Sequence, residues 1–449
     1  MSRISLSPVT AVTCNEQFDI IEQAAIHIDG SRIVYVGPAT AAPPFVADET
    51  IGGEHLVAIP GLINVHTHSA MTLLRGYADD MALEPWLQEM IWPFERHLQA
   101  DDVYWGTLLA ICEMIRGGTT CFADMYHFYE HGTHAMIESG IRACPSAVLL
   151  GFLPEPERRI ANGFAFVREF KDAGEGRITP FLGPHSLYTC NREQWAAIIQ
   201  GAYDLQVPIT THAAETRREV ADVTAQWGAG PIETLKSIGA LDGPLLAAHC
   251  VYADDRDIAM LAEINAVQGN GIGPLRVAHN PTSNLKLASG FAPVPKFLEA
   301  GITVGLGPDG TASNNNLNMW EEIHLAALLH KATTGDPTVI SAQQALLMAT
   351  REGAKCLNLE DSIGTLEAGK KADVVLVDFD KPHLYPRHNV VSHLVYAANS
   401  ADVDTVLVDG KVLLRKTNFT TLDVHQICAQ ASTRASRLAT EHHQAVAQG

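Results

Sequence analysis

The sequence predicts an α/β chain: a TIM-like (β/α)8 barrel with a small β-sandwich domain built from both termini. Three observations carry that expectation. Short apolar runs recur at 59–66, 119–125, 141–150, 178–184, 207–212, 245–249, 276–279 and 302–308, with longer helical stretches between them. Both ends of the chain read instead as short alternating strands. Several of the apolar runs also stop at a histidine or an aspartate, as barrel strands do when their carboxyl ends build a site.

Residues 1–57 read as the first part of the sandwich. Ala25 to Gly37 alternates on both sides of Asp29-Gly30-Ser31, a hairpin signal. Ala41-Ala42-Pro43-Pro44 then interrupts the pattern before the first barrel strand. Residues 58–368 read as the barrel, with helices such as Tyr104–Arg116, Glu193–Leu205 and Val294–Ala300 between its strands, the rhythm of parallel βαβ units. Residues 369–449 complete the sandwich with strands at 372–378 and 403–414, the second turning at Asp409-Gly410. Beyond Thr420 the chain reads as a C-terminal helix rich in Ala, Gln and His.

Composition narrows the function classes. The chain has 449 residues, 47% hydrophobic and 18% charged, ordinary for a globular enzyme with one large domain and a smaller one. A formal net charge of −20 argues against nucleic acid or an anionic membrane as partner, since both select basic surfaces. It leaves uncharged nucleosides open. The eight cysteines show no C-x-x-C spacing, which fits reduced thiols better than a disulfide framework. Met1-Ser2-Arg3-Ile4-Ser5 leads into no apolar signal core, so the expected location is cytoplasmic.

The chemistry starts at Pro60-Gly61-Leu62-Ile63-Asn64-Val65-His66-Thr67-His68. On a strand, side chains at i and i+2 face the same side, so His66 and His68 converge. Two neutral imidazoles on a rigid strand end suit a divalent transition metal such as Zn²⁺. His212 ends a later run, with Glu215 three residues on; His249 ends another, and Asp309 follows the eighth between Gly307 and Gly310. Taken singly, each has a plainer meaning. Asp309-Gly310 reads equally as a turn, His249 as a core imidazole, and Glu215 as a carboxylate beside a helix N-terminus. Together they end the right kind of runs in the right order. His127, His131 and His134 compete as ligands but share one loop, without strand placement. His279 ends a strand candidate and is kept as a pocket residue.

The pattern from Pro60 to His68, then His212-Ala213-Ala214-Glu215, His249 and Asp309, resembles the amidohydrolase superfamily. It is most similar to the mononuclear zinc deaminases of the methylthioadenosine/S-adenosylhomocysteine deaminase type, with the chlorotriazine hydrolases nearby. Gly364 to Asp373 looks like that family's return from barrel to β domain. The resemblance spans nearly the whole chain. It implies one Zn²⁺ held by His66, His68, His212 and Asp309, a donor set that also accepts Fe²⁺ or Mn²⁺. It implies that Glu215 shuttles a proton to the substrate ring, His249 orients the attacking hydroxide and Asp309 accepts its proton. Binuclear relatives bridge their metals through a lysine or carboxylate on the third or fourth strand; Ile178 to His185 offers neither. A homo-oligomer is the family's usual state.

The loop from Met71 to Glu95 carries Trp86, Trp92 and several acids. The resemblance sets Trp86 against a nucleoside, Glu95 on its ribose and His185 in the pocket, with Glu215 and Asp309 also touching substrate. A carboxylate suits a vicinal diol because it accepts two hydrogen bonds. The alternative for Trp86 is a tryptophan packed inside a structural lid. Relatives acting on S-adenosylhomocysteine carry arginines for its carboxylate. Arg158 and Arg159 fall in the right region without matching, and Ala147-Val148-Leu149-Leu150 has no arginine. The expected reaction is thus hydrolytic deamination of 5′-methylthioadenosine or a related 5′-deoxyadenosine. S-adenosylhomocysteine, guanine, 8-oxoguanine, cytosine or a triazine are the alternatives on this scaffold, and a non-catalytic barrel with a structural metal is the alternative from another class.

Overall fold

A computed structural model describes residues 2–268 and 274–448. Strands β1 (Arg3–Val12), β2 (Ile20–Asp29), β3 (Arg32–Pro38), β4 (Glu49–Ile51) and β5 (Leu56–Pro60) come first. Eight more follow: β6 (Leu62–Thr67), β7 (Thr119–Tyr126), β8 (Arg142–Leu149), β9 (Phe181–Pro184), β10 (Ile209–Ala213), β11 (Leu245–His249), β12 (Leu275–His279) and β13 (Val304–Leu306). The last four are β14 (Val374–Asp378), β15 (Val403–Val408), β16 (Lys411–Arg415) and β17 (Asn418–Phe419).

Strands β6 to β13 lie in sequence order in one parallel eight-stranded sheet. Its two edges meet. The Asp309 N–H donates to the His66 carbonyl at 3.1 Å, and Thr67 Oγ1 donates to the Asp309 carbonyl at 2.7 Å. The ring is the expected (β/α)8 barrel. Its strands are buried throughout apart from the half-buried Val148 of β8, with Ile63, Val65, Cys121, Cys144, Phe181, Leu246 and Ala278 in one interior cluster, as a sheet covered on both faces requires.

The remaining strands form a mixed nine-stranded sheet in the order β17-β16-β15-β14-β5-β1-β2-β3, with β4 against β1. It joins both ends of the chain through the antiparallel pair β5–β14. The sheet closes over its own apolar face, because Ile33 N–H bonds to the Lys370 carbonyl and Ala372 N–H to Ser31. Ile4, Leu6, Ile26, Ile28, Val374 and Leu376 fill the space between. Both hairpins expected at Asp29-Gly30 and Asp409-Gly410 are present.

The run read as a single barrel strand at 59–66 serves two sheets instead. Leu56–Pro60 belongs to the terminal sheet and Leu62–Thr67 to the barrel. Gly61 makes the break where the backbone passes Thr120: a Cβ at this position would lie 1.9 Å from Thr120 Oγ1. The C-terminal helix Val424–Gln448 packs on the barrel side rather than in the sandwich. Ala431 and Leu438 join Trp86, Ile91 and Phe94, and Arg434 and Arg437 pair with Asp101 and Asp102 at 2.5 Å. Among the described residues, no helix is long and apolar enough to cross a membrane.

Candidate active site

The carboxyl ends of the barrel strands gather His66, His68, His212, His249 and Asp309. Asp309 Oδ1 lies 3.4 Å from His66 Nε2 and 3.3 Å from His68 Nε2, and His68 and His212 bring their Nε2 atoms within 3.4 Å. Two overlapping groups, His66–His68–Asp309 and His66–His212–His249, keep their ligand atoms within 4.8 Å of one another. The outer nitrogens fix the tautomers. His68 Nδ1 donates to the Met125 carbonyl at 2.5 Å and His212 Nδ1 to the His185 carbonyl at 2.9 Å, which leaves each Nε2 lone pair facing inward. Two donor atoms aimed at the centre, His66 Nε2 and Asp309 Oδ1, are buried with no hydrogen-bond partner. Buried polar atoms in folded proteins nearly always have one, so these two fit a bound cation.

Charge agrees with that fit. Burial pushes His66 down to about 4, against the pull of Asp309, and holds His212 well below the usual histidine range. Neutral imidazoles are what a metal takes. Burial would raise Asp309, but the imidazoles of His66 and His68 beside it outweigh burial and hold the carboxyl well below its usual value. Its other oxygen, Oδ2, accepts from Ser283 at 2.7 Å and Ser313 at 2.9 Å. His249 Nδ1 bonds to Asn284 Oδ1 at 2.8 Å, and its Nε2 faces Glu215 Oε2 at 3.8 Å. The backbone is bent to aim these groups: Ala214, His249 and Asp309 sit at φ 52°, 74° and 64°, a region uncommon for residues other than glycine.

Glu215 lies beyond the end of β10, buried, and burial raises its carboxyl pKa. Glu219 holds this turn. Its two oxygens accept the backbone N–H groups of Ala214 at 3.0 Å and Glu215 at 2.6 Å. Thr216 caps the following helix at the Glu219 N–H, a T-x-x-E signal legible in the sequence.

These groups open into a cavity at the mouth of the barrel. Trp86, Glu95 and His185 all line it, as do His68, His212, Glu215, His249 and Asp309. Trp86 is also packed inside the lid, its indole N–H bonded to the Ala78 carbonyl at 3.1 Å. Burial, then the neighbouring imidazoles, push His185 down to about 3. The remaining walls are largely apolar, with Leu83, Leu87, Ile91, Trp92, Val148 and Leu150. His279 is not among the lining residues. It is buried in the barrel wall with Nε2 against His330 Nε2 at 3.2 Å, a core imidazole rather than a pocket residue. His131 and His134 lie on the helix Tyr129–Ser139, away from the cavity. His127, a competing ligand candidate, lines the cavity, and Tyr126, Ser283, Asn284, Ser313 and Glu219 support or line the site although no sequence pattern points to them as parts of it.

A barrel mouth that presents converging imidazoles, an unpaired carboxylate oxygen and a buried glutamate carboxyl defines a metal-dependent hydrolase. A model of the amidohydrolase family matches residues 57–413. Proteins named 5-methylthioadenosine/S-adenosylhomocysteine deaminase are 50% identical over 391 residues in Dictyoglomus thermophilum, covering 87% of this chain and 89% of theirs. In Moorella thermoacetica the figure is 50% over 416 residues, covering 92% and 95%. Among solved structures, an adenosine deaminase from Xanthomonas campestris with bound zinc superposes with a TM-score of 0.92 at 34% identity, covering 97% of this chain and 98% of that one. An atrazine chlorohydrolase from Arthrobacter aurescens TC1 complexed with zinc gives 0.88 at 26%, covering 96% and 100%. This chain belongs to the amidohydrolase family and, within it, to the methylthioadenosine/S-adenosylhomocysteine deaminases. It is a hydrolytic deaminase.

Proposed function

We propose that the chain deaminates 5′-methylthioadenosine, or another adenosine with an uncharged 5′ group, to the inosine analogue and ammonia. The observation that carries the choice is the lining of the pocket: no Lys or Arg is among the described residues that form it. Arg158 is exposed and paired with Glu155 at 3.1 Å. Arg159 donates to the Pro154 carbonyl at 3.0 Å and lines a separate small cavity with Pro156 and Cys190. A 5′ substituent carrying a carboxylate would meet no cation in this lining, and Arg218 of the adjoining cavity is already paired with Asp222 at 3.6 Å, so its desolvation is unfavourable.

His66, His68, His212 and Asp309 would hold one divalent ion, zinc being the ion bound in two similar structures. Such an ion supplies Lewis acidity, lowering the pKa of water to about 7. The chain's own groups then divide the proton work. Asp309 takes a proton from the attacking water while Ser283 and Ser313 hold its Oδ2. Glu215, whose carboxyl burial raises above its usual pKa, donates a proton to the ring nitrogen beside the attacked carbon. His249, steadied by Asn284, orients the attacking oxygen. Asp309 passes its proton to the amine, which leaves as ammonia, and Glu215 recovers a proton from the new hydroxyl as the carbonyl forms. Trp86 and His185 bound the base, and Glu95 takes the ribose hydroxyls.

The test is ammonia release from methylthioadenosine, adenosine, S-adenosylhomocysteine, guanine, cytosine and a chlorotriazine, with zinc supplied. The expected kcat/KM for S-adenosylhomocysteine is at least about tenfold below that for methylthioadenosine, the effect of one unpaired charged group. Comparable rates on both would overturn the choice of 5′ group; activity on a free base alone would overturn the nucleoside reading.

A further inference from the structure

Glu95 ends the short helix Trp92–Glu95 in the loop that follows β6, and loops of this kind move more than barrel strands. Its carboxylate is nevertheless tied down. Tyr126, the last residue of β7, donates its hydroxyl to Glu95 Oε1 at 2.7 Å, and His127 Nε2 stands 3.6 Å from Oε2. Tyr126 is 4% exposed, with its ring in the apolar cluster of Trp86, Ile91 and Phe94. A phenol has one proton to give, and burial together with the adjacent carboxylate keeps that proton on the oxygen. The donor is therefore committed to Glu95. A rigid strand end thereby sets the position of a carboxylate carried on a loop, as a preorganised site requires. Oε1 is anchored, and Oε2 receives no hydrogen bond from the described residues.

We propose that Tyr126 is a specificity-determining positioning residue: by anchoring Glu95 Oε1 it leaves the carboxylate set for two adjacent hydroxyls, and so selects nucleosides with an intact 2′,3′-diol over 2′- or 3′-deoxynucleosides. The proposal rests on the reading of Glu95 as the ribose acceptor. It adds that the selectivity is lost when the anchor is removed, although Tyr126 stays out of the reaction itself.

Tyr126→Phe keeps the ring and its packing and removes one hydroxyl. The experiment measures kcat and KM separately for adenosine, 2′-deoxyadenosine and 3′-deoxyadenosine in the wild-type, Tyr126→Phe and Glu95→Ala enzymes, all zinc-loaded. The wild-type enzyme should favour adenosine. In Tyr126→Phe the KM for adenosine should rise about tenfold, the usual effect of losing a hydrogen bond to a charged group. The deoxynucleosides should change far less, so that the ribo-to-deoxy ratio collapses, as it does in Glu95→Ala. A Glu95→Ala enzyme that keeps the wild-type ratio would overturn the ribose reading of Glu95 and this proposal with it. Collapse in Glu95→Ala but not in Tyr126→Phe would overturn the role of Tyr126 alone. An equal loss of kcat on all three substrates in Tyr126→Phe would also overturn it, since that is the signature of damage to the fold.

Discussion

Arg142 at the foot of the barrel and Asp309 at its mouth are both buried charges, and their surroundings differ. Arg142 opens β8 and donates to both oxygens of Asp373 at 2.8 and 3.0 Å, and to Asp409 at 3.1 Å. Asp409 also takes Lys371 at 3.1 Å, and its own N–H returns to Asp373 at 2.8 Å. Asp373 and Asp409 flank β14 and β15, so this network joins the barrel to the terminal sheet, with every charge answered from within the chain. At the mouth, Asp309 Oδ1 and His66 Nε2 are left without partners. The lesson is one of completeness. A buried ionic cluster satisfied internally holds two parts of a fold in one arrangement, whereas one left short keeps its free valence for something from outside.

The sharpest way to break this comparison is to take the cation away. Dialysis against a chelator should abolish turnover while leaving the far-UV circular dichroism intact. Asp309→Ala should likewise lower kcat by about 10²–10⁴-fold, the usual contribution of a positioned proton acceptor. Its thermal midpoint, measured in chelator, should fall without loss of the fold, because the native chain holds this carboxyl well below its usual pKa and Ser283 and Ser313 lose their acceptor. Unfolding on chelation would show that the mouth is a structural site and that the contrast with the foot is false.

The foot should respond in the opposite way. Arg142→Met leaves Asp373 buried without its cation, and removing one member of such a pair costs about 3–5 kcal/mol. The urea midpoint should fall accordingly, while kcat/KM of the protein that remains folded stays near the wild-type value. A loss of stability below about 1 kcal/mol, the level of an exposed pair, would show that the network adds little to what apolar packing between barrel and sheet already supplies.

The two clusters also differed in how far the sequence revealed them. The mouth was legible because each ligand ends an apolar run, and a strand's end is where a local pattern stops. The supports of those ligands were not. Ser283 reaches Asp309 across 26 residues, Tyr126 reaches Glu95 across 31, and His249 meets Asn284 across 35; such pairs leave no periodic trace. His279 shows the converse, since it ends a barrel strand as His212 and His249 do. What separates it is His330, 51 residues away on the helix Met319–Thr334. The foot was invisible for the same reason, with 231 residues between Arg142 and Asp373. Gly61 lies inside an apolar run, and only its close approach to Thr120 shows that it divides that run between two sheets.

A third buried charge tests where the line between the two clusters falls. Glu322, fully buried on the helix Met319–Thr334, accepts Asn314 Nδ2 at 2.8 Å and the Thr282 N–H at 3.3 Å. Both donors are neutral, so its hydrogen bonds are partly answered but its charge is not. Burial pushes its pKa up to about 7 from an ordinary 4.5, against those two donors. Between these values the folded chain holds a proton that the unfolded chain has lost. Stability should therefore fall as pH rises from about 4.5 to about 7 and then level off, by at most about 3 kcal/mol. Glu322→Gln keeps an acceptor for Asn314 and cannot ionise. Relative to wild type it should gain stability steadily across that window, read from urea midpoints at pH 5, 6, 7 and 8. A difference that stays constant with pH would mean that the Glu322 charge is already compensated, which would place this carboxylate with the foot of the barrel rather than between the two.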